Sequence, residues 1–209
     1  MERIDRQTYY ASKGIVQLIA DELDAPPQCG IEIGVHRGIT SMMLLRFFPN
    51  LHLYMVDPWQ VYDEVDRNQD GHDDSMRQAV LRTDCFSGRR QIVRSTSHDA
   101  KNIFPSYFAD FLFIDGDHSG DAVLRDLKEY TPKVRKGGLV ICHDIKQPQV
   151  FDAVKAFCEP HGIRFAYNRA RSGFFTMPHG KHVAKEWHLF DKNLYKYWPR
   201  KHGGNKQSE

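Results

Sequence analysis

Three short apolar runs, each followed by glycine, acidic or imidazole side chains, constrain the fold of this chain more than any other feature. Cys29-Gly-Ile-Glu-Ile leads into a turn with Gly34 and Gly38, Phe111-Leu-Phe-Ile leads into Asp115-Gly-Asp-His118, and Gly138-Leu-Val-Ile-Cys leads into His143-Asp144. Runs this apolar predict strands that are buried on both faces of a sheet. Ligands bind at the carboxyl ends of such strands in open α/β sheets. We therefore expect the polar residues after these runs to form a functional site.

Predicted strands alternate with predicted helices along most of the chain. The strands are expected at 30–33, 51–56, 91–93, 111–114 and 138–142, followed by a closing pair at 163–167 and 173–177. The helices are expected at 8–23, 39–48, 73–86, 97–104, 121–130 and 149–158, and the polar stretch 60–72 is expected to be a loop. Because the closing strands lack a helix between them, they should pair antiparallel at one edge. The predicted fold is α/β and Rossmann-like, with a seven-stranded, mostly parallel sheet and helices on both faces.

Length and composition are typical of one soluble domain. The chain has 209 residues and a formal net charge of +2, which gives no argument for a nucleic-acid partner. No apolar run approaches the length of a membrane span, and the amino end does not resemble a signal peptide. Four scattered cysteines suggest reduced thiols. We expect a cytoplasmic protein with a single domain at 1–180, whose residues 1–27 form a covering helix. Residues 181–209 are expected to be a basic, aromatic tail, with a disordered end and a possible role in homodimer contacts.

The glycine turn after the first run excludes two common phosphate-binding sites. A dinucleotide fingerprint needs glycine at the third and sixth positions counted from Gly34, and His36 and Ile39 occupy them. A Walker loop needs Gly-Lys-Ser/Thr, which does not follow. The spacing from Glu32 to Gly38 instead suits a ligand that needs backbone clearance but has no pyrophosphate. Asp57 ends the second strand, where a carboxylate can bind the hydroxyls of a ribose; a turn-forming role is the alternative.

The ordered set of these motifs resembles the class I S-adenosylmethionine-dependent methyltransferases. It is most similar to the small-molecule group that carries an Ile-Asp-Gly-Asp-His segment, and the resemblance covers residues 29–144. It implies that Gly34 and Gly38 lie under the methionine part of the cofactor and that Glu32 helps to fix its amino end. It also implies that Asp57 binds the ribose and that Ser97, or Thr96 in its place, approaches the adenine. Asp115 would face both the sulfonium and the methyl acceptor.

The resemblance also implies a divalent-cation site after the fourth and fifth strands. The matching positions are Asp115 and the pair His143-Asp144, with Asp117 as a substitute ligand. His143 stands where the family has a carboxylate, and a nitrogen ligand admits manganese, iron or zinc more readily than magnesium. His118 occupies the offset of a lysine general base, so His118, Asp115 and His143 are the predicted catalytic residues. Capping of the following helix, or orientation of Asp115, is the alternative role of His118.

The function expected from this set is methyl transfer from S-adenosylmethionine to a small-molecule acceptor, at an oxygen atom and with assistance from a divalent cation. Two alternatives stay open. One is a protein that binds the cofactor without turnover, and the other is a nucleotide-sugar-dependent transferase on a similar sheet. The acceptor itself is not predicted, because its pocket is built from loops and termini.

Overall fold

The computed structural model describes residues 4–60, 69–167 and 172–177. The helices in these ranges are α1 (Arg6–Glu22), α2 (Ile39–Phe47), α3 (Gln69–Thr83), α4 (Ser97–Ala100), α5 (Gly120–Tyr130) and α6 (Pro148–Cys158). The strands are β1 (Cys29–Ile33), β2 (His52–Val56), β3 (Arg90–Val93), β4 (Ala109–Ile114), β5 (Val134–Cys142), β6 (Ala166–Tyr167) and β7 (Gly173–Thr176). Short 3₁₀ turns follow α3, α4, α5 and α6.

These strands form one sheet in the order β3-β2-β1-β4-β5-β7-β6. The first five run parallel, whereas β7 pairs antiparallel with both β5 and β6. The chain builds outward from β1 to β3 and then returns to the other side of β1 with β4. This reversal of strand order opens a crevice beyond the carboxyl ends of β1 and β4, which is where α/β sheets of this type bind ligands.

Alternate residues of the central strands face opposite sides of the sheet and bury two apolar layers. Phe111 and Phe113 pack with side chains of α1, α2 and α3. Leu112 and Ile114 pack on the other face with side chains of α5 and α6. This period of two, together with burial on both faces, explains why the central strands appear in the sequence as continuous apolar runs.

The structure confirms the predicted fold class, including the antiparallel edge pair. Several boundaries were predicted wrongly, most clearly those of α3, β5 and β6. Helix α3 begins at Gln69, so part of the predicted loop is helical, and it ends at Thr83. Strand β5 begins at Val134 rather than Gly138, because the chain passes through an irregularity that shifts its register with β4. Strand β6 contains only Ala166–Tyr167.

Some predictions concern residues outside the described ranges. They include the tail at 181–209 and the part of the predicted loop at 61–68. None of the described helices has the length and apolar character needed to cross a membrane. Helix α1 buries Ile15, Leu18 and Ile19 against one face of the sheet.

Candidate active site

Three cavities meet at the carboxyl ends of the central strands. The first, about 700 Å³, lies over the ends of β1, β2 and β4. The second, about 310 Å³, lies beside the glycine turn between β1 and α2. The third, about 890 Å³, lies between α1 and the ends of β4 and β5. Asp115 lines all three, so this one carboxylate stands at their junction.

The two glycines of the turn are required by the packing of the protein itself. Both have positive φ, 85° at Gly34 and 70° at Gly38, a conformation that glycine adopts without a steric penalty. A Cβ at Gly34 would lie 2.1 Å from the carbonyl oxygen of Asp115, and one at Gly38 would lie 2.7 Å from Cα of Ala79. Gly34 also lines the two smaller cavities named above. A branched side chain at Gly34 should therefore destabilise the folded protein. Any loss of ligand binding in such a variant could not be separated from this loss of stability.

Glu32 is buried beneath the turn and lines the 310 Å³ cavity. Its Oε2 accepts a hydrogen bond of 2.5 Å from Oγ of Ser41. Burial raises the pKa of Glu32 to about 8, although the bond from Ser41 acts in the opposite direction. The carboxyl group is therefore largely protonated at neutral pH. A cationic ligand beside it would favour the ionised form.

Asp57 holds the glycine turn in place through backbone contacts. Its Oδ2 accepts hydrogen bonds from the N–H groups of Val35 at 2.9 Å and His36 at 2.8 Å, and its Oδ1 accepts one from Trp59 at 2.8 Å. A carboxylate has about four acceptor positions, so these contacts leave about one. Asp57 lines the 700 Å³ cavity. Asp57 therefore has the turn-forming role in the structure. A ribose that binds both carboxylate oxygens of Asp57 would have to share them with these backbone N–H groups.

Ser97 lines the same cavity and contacts a buried acid. Its Oγ donates a 2.6 Å hydrogen bond to Oδ1 of Asp126, which is 2% exposed, and its carbonyl oxygen accepts one from the hydroxyl of Tyr130. Burial raises the pKa of Asp126 to about 6. Thr96, the alternative adenine contact, caps α4 by accepting from the N–H of Asp99. Both predicted residues line the cavity, as does Asp126, which no sequence pattern indicated.

Four side chains from the ends of β4 and β5 converge where the cavities meet. Oδ1 of Asp115 lies 2.9 Å from Nδ1 of His143 and 3.4 Å from Nε2 of His118. Asp144 approaches the two imidazoles less closely, at 3.6 Å from Nδ1 of His143 and 3.7 Å from Nε2 of His118. Asp144 also has a positive φ of 50°. The predicted cluster is therefore assembled by neighbouring parallel strands.

Charge and burial oppose each other within this cluster. Burial by itself would raise the pKa of Asp115, but its contacts with His118 and His143 outweigh burial and lower it. The contact with Asp115 raises the pKa of His118, against the opposing effect of burial. Nε2 of His118 is buried and has no hydrogen-bond partner of good geometry among the described residues. The atom nevertheless faces carboxylate oxygens of Asp115 at 3.4 Å and Asp144 at 3.7 Å, an environment that favours a proton or a cation there.

The donor set is compatible with a divalent cation. One potential ligand atom from each of Asp115, His118 and His143 lies within 4.8 Å of the others. This compact group differs from the predicted set by including His118 in place of Asp144. Two imidazoles and one carboxylate suit manganese, iron or zinc better than magnesium.

Sequence reasoning missed the contributions of three residues to the cavities. Trp59 is buried, and its indole Nε1 donates a 2.8 Å hydrogen bond to the carbonyl oxygen of His36. Burial lowers the pKa of His36, and both residues line the 700 Å³ cavity. Tyr10 of α1 lines the 890 Å³ cavity. The unusual Val-His step inside the glycine turn is the one sequence feature that could have indicated His36. No local sequence feature indicated Trp59 or Tyr10.

Comparisons with known proteins show the family of this chain and agree with its fold. A family model described as a methyltransferase domain matches residues 31–145, more than half of the chain. An uncharacterized protein, R132, of Acanthamoeba polyphaga mimivirus is 24% identical over 162 residues, which cover 73% of this chain and 69% of that protein. Among solved structures, the O-methyltransferase NovP superposes with a TM-score of 0.62 at 17% identity, covering 83% of this chain and 80% of that one.

A further similar structure was solved with its cofactor. TomG, an O-methyltransferase of Streptomyces achromogenes in complex with S-adenosylmethionine, has a TM-score of 0.57 at 13% identity and covers 84% of this chain and 91% of that one. The chain belongs to the methyltransferase-domain family. It is an S-adenosylmethionine-dependent methyltransferase with a Rossmann-like sheet, and this family favours methyl transfer over the nucleotide-sugar alternative.

Proposed function

We propose that this protein transfers a methyl group from S-adenosylmethionine to an oxygen atom of a small molecule. The observation that carries the proposal is the position of Asp115. It lines the two cavities beside the glycine turn and also the separate cavity under α1, and it contacts two histidines, of which His143 lines the cavity under α1 and His118 lines the other two. A donor in the first two cavities and an acceptor in the third would meet at this point.

The two smaller cavities suit opposite ends of the cofactor. Glu32, in the 310 Å³ cavity, would face the ammonium group of the methionine part, which would stabilise its ionised form. The adenosine part would occupy the 700 Å³ cavity, between the turn braced by Asp57 and the Ser97–Asp126 pair. This arrangement directs the methyl group toward Asp115.

Removal of the acceptor proton is assigned to His118. In an in-line displacement, a bond forms between the acceptor oxygen and the methyl carbon while the bond from that carbon to sulfur breaks. An acceptor hydroxyl at the junction of the cavities, beside Asp115, would pass its proton to Nε2 of His118, which lies 3.4 Å from Oδ1 of Asp115. Asp115 stabilises the imidazolium that results, since its carboxylate lies 3.4 Å away.

A divalent cation would fit the group formed by Asp115, His118 and His143. When bound, such an ion lowers the pKa of an acceptor hydroxyl and fixes its position. His118 would then be a ligand. The two roles exclude each other: an ion held by Asp115, His118 and His143 would prevent His118 from acting as the base, whereas the predicted set, with Asp144 in place of His118, would leave His118 as the base.

Production of S-adenosylhomocysteine across an acceptor panel tests the proposal. Phenols, alcohols and amines would be offered with S-adenosylmethionine, and the methylated atom would be identified by mass spectrometry and NMR. We expect methylation at oxygen and its loss in Asp115→Asn. Asp152→Asn, which changes an exposed acid on α6 outside the three cavities, is the matched control and should retain activity. Methylation only at nitrogen, or full activity in Asp115→Asn, would overturn the proposal.

A further inference from the structure

The cavity under α1 is separate in composition from the two assigned to the cofactor. Its floor is formed by Asp115, His143 and Asp144, and its wall is formed by the first turns of α1, including Thr8 and Tyr10. Ile15 and Phe113 add apolar surface. The wall is anchored because Ser12 and Thr40 form a hydrogen bond of 2.9 Å between α1 and α2. The amino-terminal helix is therefore a fixed part of the proposed acceptor pocket.

The charged groups of this cavity are acidic. Asp5, Asp115 and Asp144 line it, and none of its lining residues within the described ranges is a lysine or an arginine. Asp5 caps α1 by accepting from the N–H of Thr8 at 2.9 Å. Within the described part of the lining, and without a bound metal ion, a carboxylate or phosphate on the acceptor would meet three aspartates and only one group able to carry a positive charge, His143, which is unfavourable at the short distances of a cavity. A neutral or cationic molecule would not.

One aromatic ring stands at the mouth of the cavity. Tyr10 is 56% exposed although it lines the cavity, and an exposed ring at such a position can stack on a planar or apolar ligand face. Its neighbour Tyr9 is 44% exposed and contacts it edge to face at a centroid distance of 5.7 Å, but Tyr9 does not line the cavity. The two tyrosines thus provide a test residue and a matched control.

We propose that the cavity under α1 binds an uncharged or cationic hydroxyl compound with a planar apolar face, which stacks on Tyr10 and places its hydroxyl beside Asp115 and His143. This inference rests on the proposed function, since it names the class of acceptor for that site. It excludes acceptors that carry a carboxylate or phosphate near the reacting hydroxyl.

Three catechols with the same pair of hydroxyls test the charge preference: catechol itself, dopamine and 3,4-dihydroxybenzoate. Their binding would be measured by ligand-observed NMR with the protein saturated by S-adenosylhomocysteine, so that turnover is not required. We expect catechol and dopamine to bind at least about tenfold more tightly than the benzoate. Tyr10→Ala should weaken dopamine binding by about tenfold, and Tyr9→Ala should leave it unchanged.

Each other outcome overturns the inference. The inference is wrong if the benzoate binds as tightly as dopamine, or if Tyr10→Ala and Tyr9→Ala change dopamine binding equally. It is also wrong if none of the three compounds binds. Calorimetry of S-adenosylhomocysteine with the same protein separates this failure from failure of the proposed function. If the cofactor product binds and the catechols behave otherwise than expected, only the acceptor assignment is wrong. If the cofactor product does not bind, the proposed function is wrong as well.

Discussion

Ser41 donates a 2.5 Å hydrogen bond to Oε2 of Glu32 at the base of the glycine turn, and both side chains are buried. Burial raises the pKa of Glu32 to about 8, so the free protein holds this proton at pH 7. Because the ammonium group of the cofactor favours the carboxylate, binding should release about one proton at that pH. Calorimetric titrations in phosphate and Tris, which differ in ionisation enthalpy, would report the release. A binding enthalpy that is independent of buffer, or the same buffer dependence in Glu32→Gln, would contradict the assignment.

The same pKa predicts how the stability of the free protein varies with pH. The folded-state pKa of Glu32 is raised above the ordinary value of 4.5, so the folded state binds more protons than the unfolded state between about 4.5 and 8. The Glu32 contribution therefore becomes steadily less favourable as pH rises through this window. Glu32→Gln, which keeps the shape without the titration, should gain stability relative to the wild type between pH 5 and 8.5. Melting temperatures across this range would show it, and parallel curves for the two proteins would refute it.

Asp57→Ala should destabilise the protein and weaken binding of the cofactor product. Removing the carboxylate leaves the N–H groups of Val35, His36 and Trp59 without their acceptor, at a cost of about 1–3 kcal/mol in the free energy of unfolding. Urea unfolding would measure the loss, with Asp152→Ala on the exposed face of α6 as the control, expected within about 0.5 kcal/mol of wild type. Unchanged stability in Asp57→Ala would mean that these bonds do not hold the turn.

His118→Ala should lower turnover on the order of a hundredfold, the usual size of a general-base contribution. Since the base must be neutral, activity of the wild type should rise with pH through a His118 pKa that lies above the ordinary value of 6.5. The variant should lose this limb of the pH profile. His161→Ala, at an exposed position beyond α6, should keep it. A limb that persists in His118→Ala would assign the proton transfer to another group.

Metal titration distinguishes the two possible ligand sets. Manganese or zinc should bind the protein more tightly than magnesium, because the group contains two imidazoles. His118→Ala should weaken manganese binding at least about tenfold, the usual effect of losing a ligand or its support, whereas Asp144→Asn should weaken it less. If Asp144→Asn weakens manganese binding more than His118→Ala does, the ligands are instead Asp115, His143 and Asp144. The absence of binding by all three metals would leave the cluster as an acid–base site.

The sheet could be predicted because its central strands are buried on both faces and follow one another with helices between. The helix ends were less predictable. Gln69 begins α3 inside a polar stretch whose composition suits either a loop or a solvent-exposed helix. The first residues of β5 were missed because Gly137 and Gly138 interrupt the apolar pattern where the register changes.

The candidate site was predictable to the extent that it follows from strand ends. Asp115, His118 and His143 were expected together because neighbouring parallel strands bring their carboxyl ends to one edge, and the structure shows them within 4.8 Å. The backbone partners of Asp57 could not be foreseen, because its contact with Val35 joins residues 22 positions apart. The hydrogen bond between Ser97 and Asp126 could not be predicted for the same reason.

Calorimetric titration of S-adenosylhomocysteine into the wild-type protein tests the central claim most directly. The turn from Glu32 to Gly38, the adjacent Asp57 and the cavities of about 310 and 700 Å³ are together assigned to one cofactor molecule. We expect one site per chain with a dissociation constant in the micromolar range, a free energy of binding of roughly −8 kcal/mol, and an increase in melting temperature by mass action. No binding by a folded wild-type protein would contradict the account.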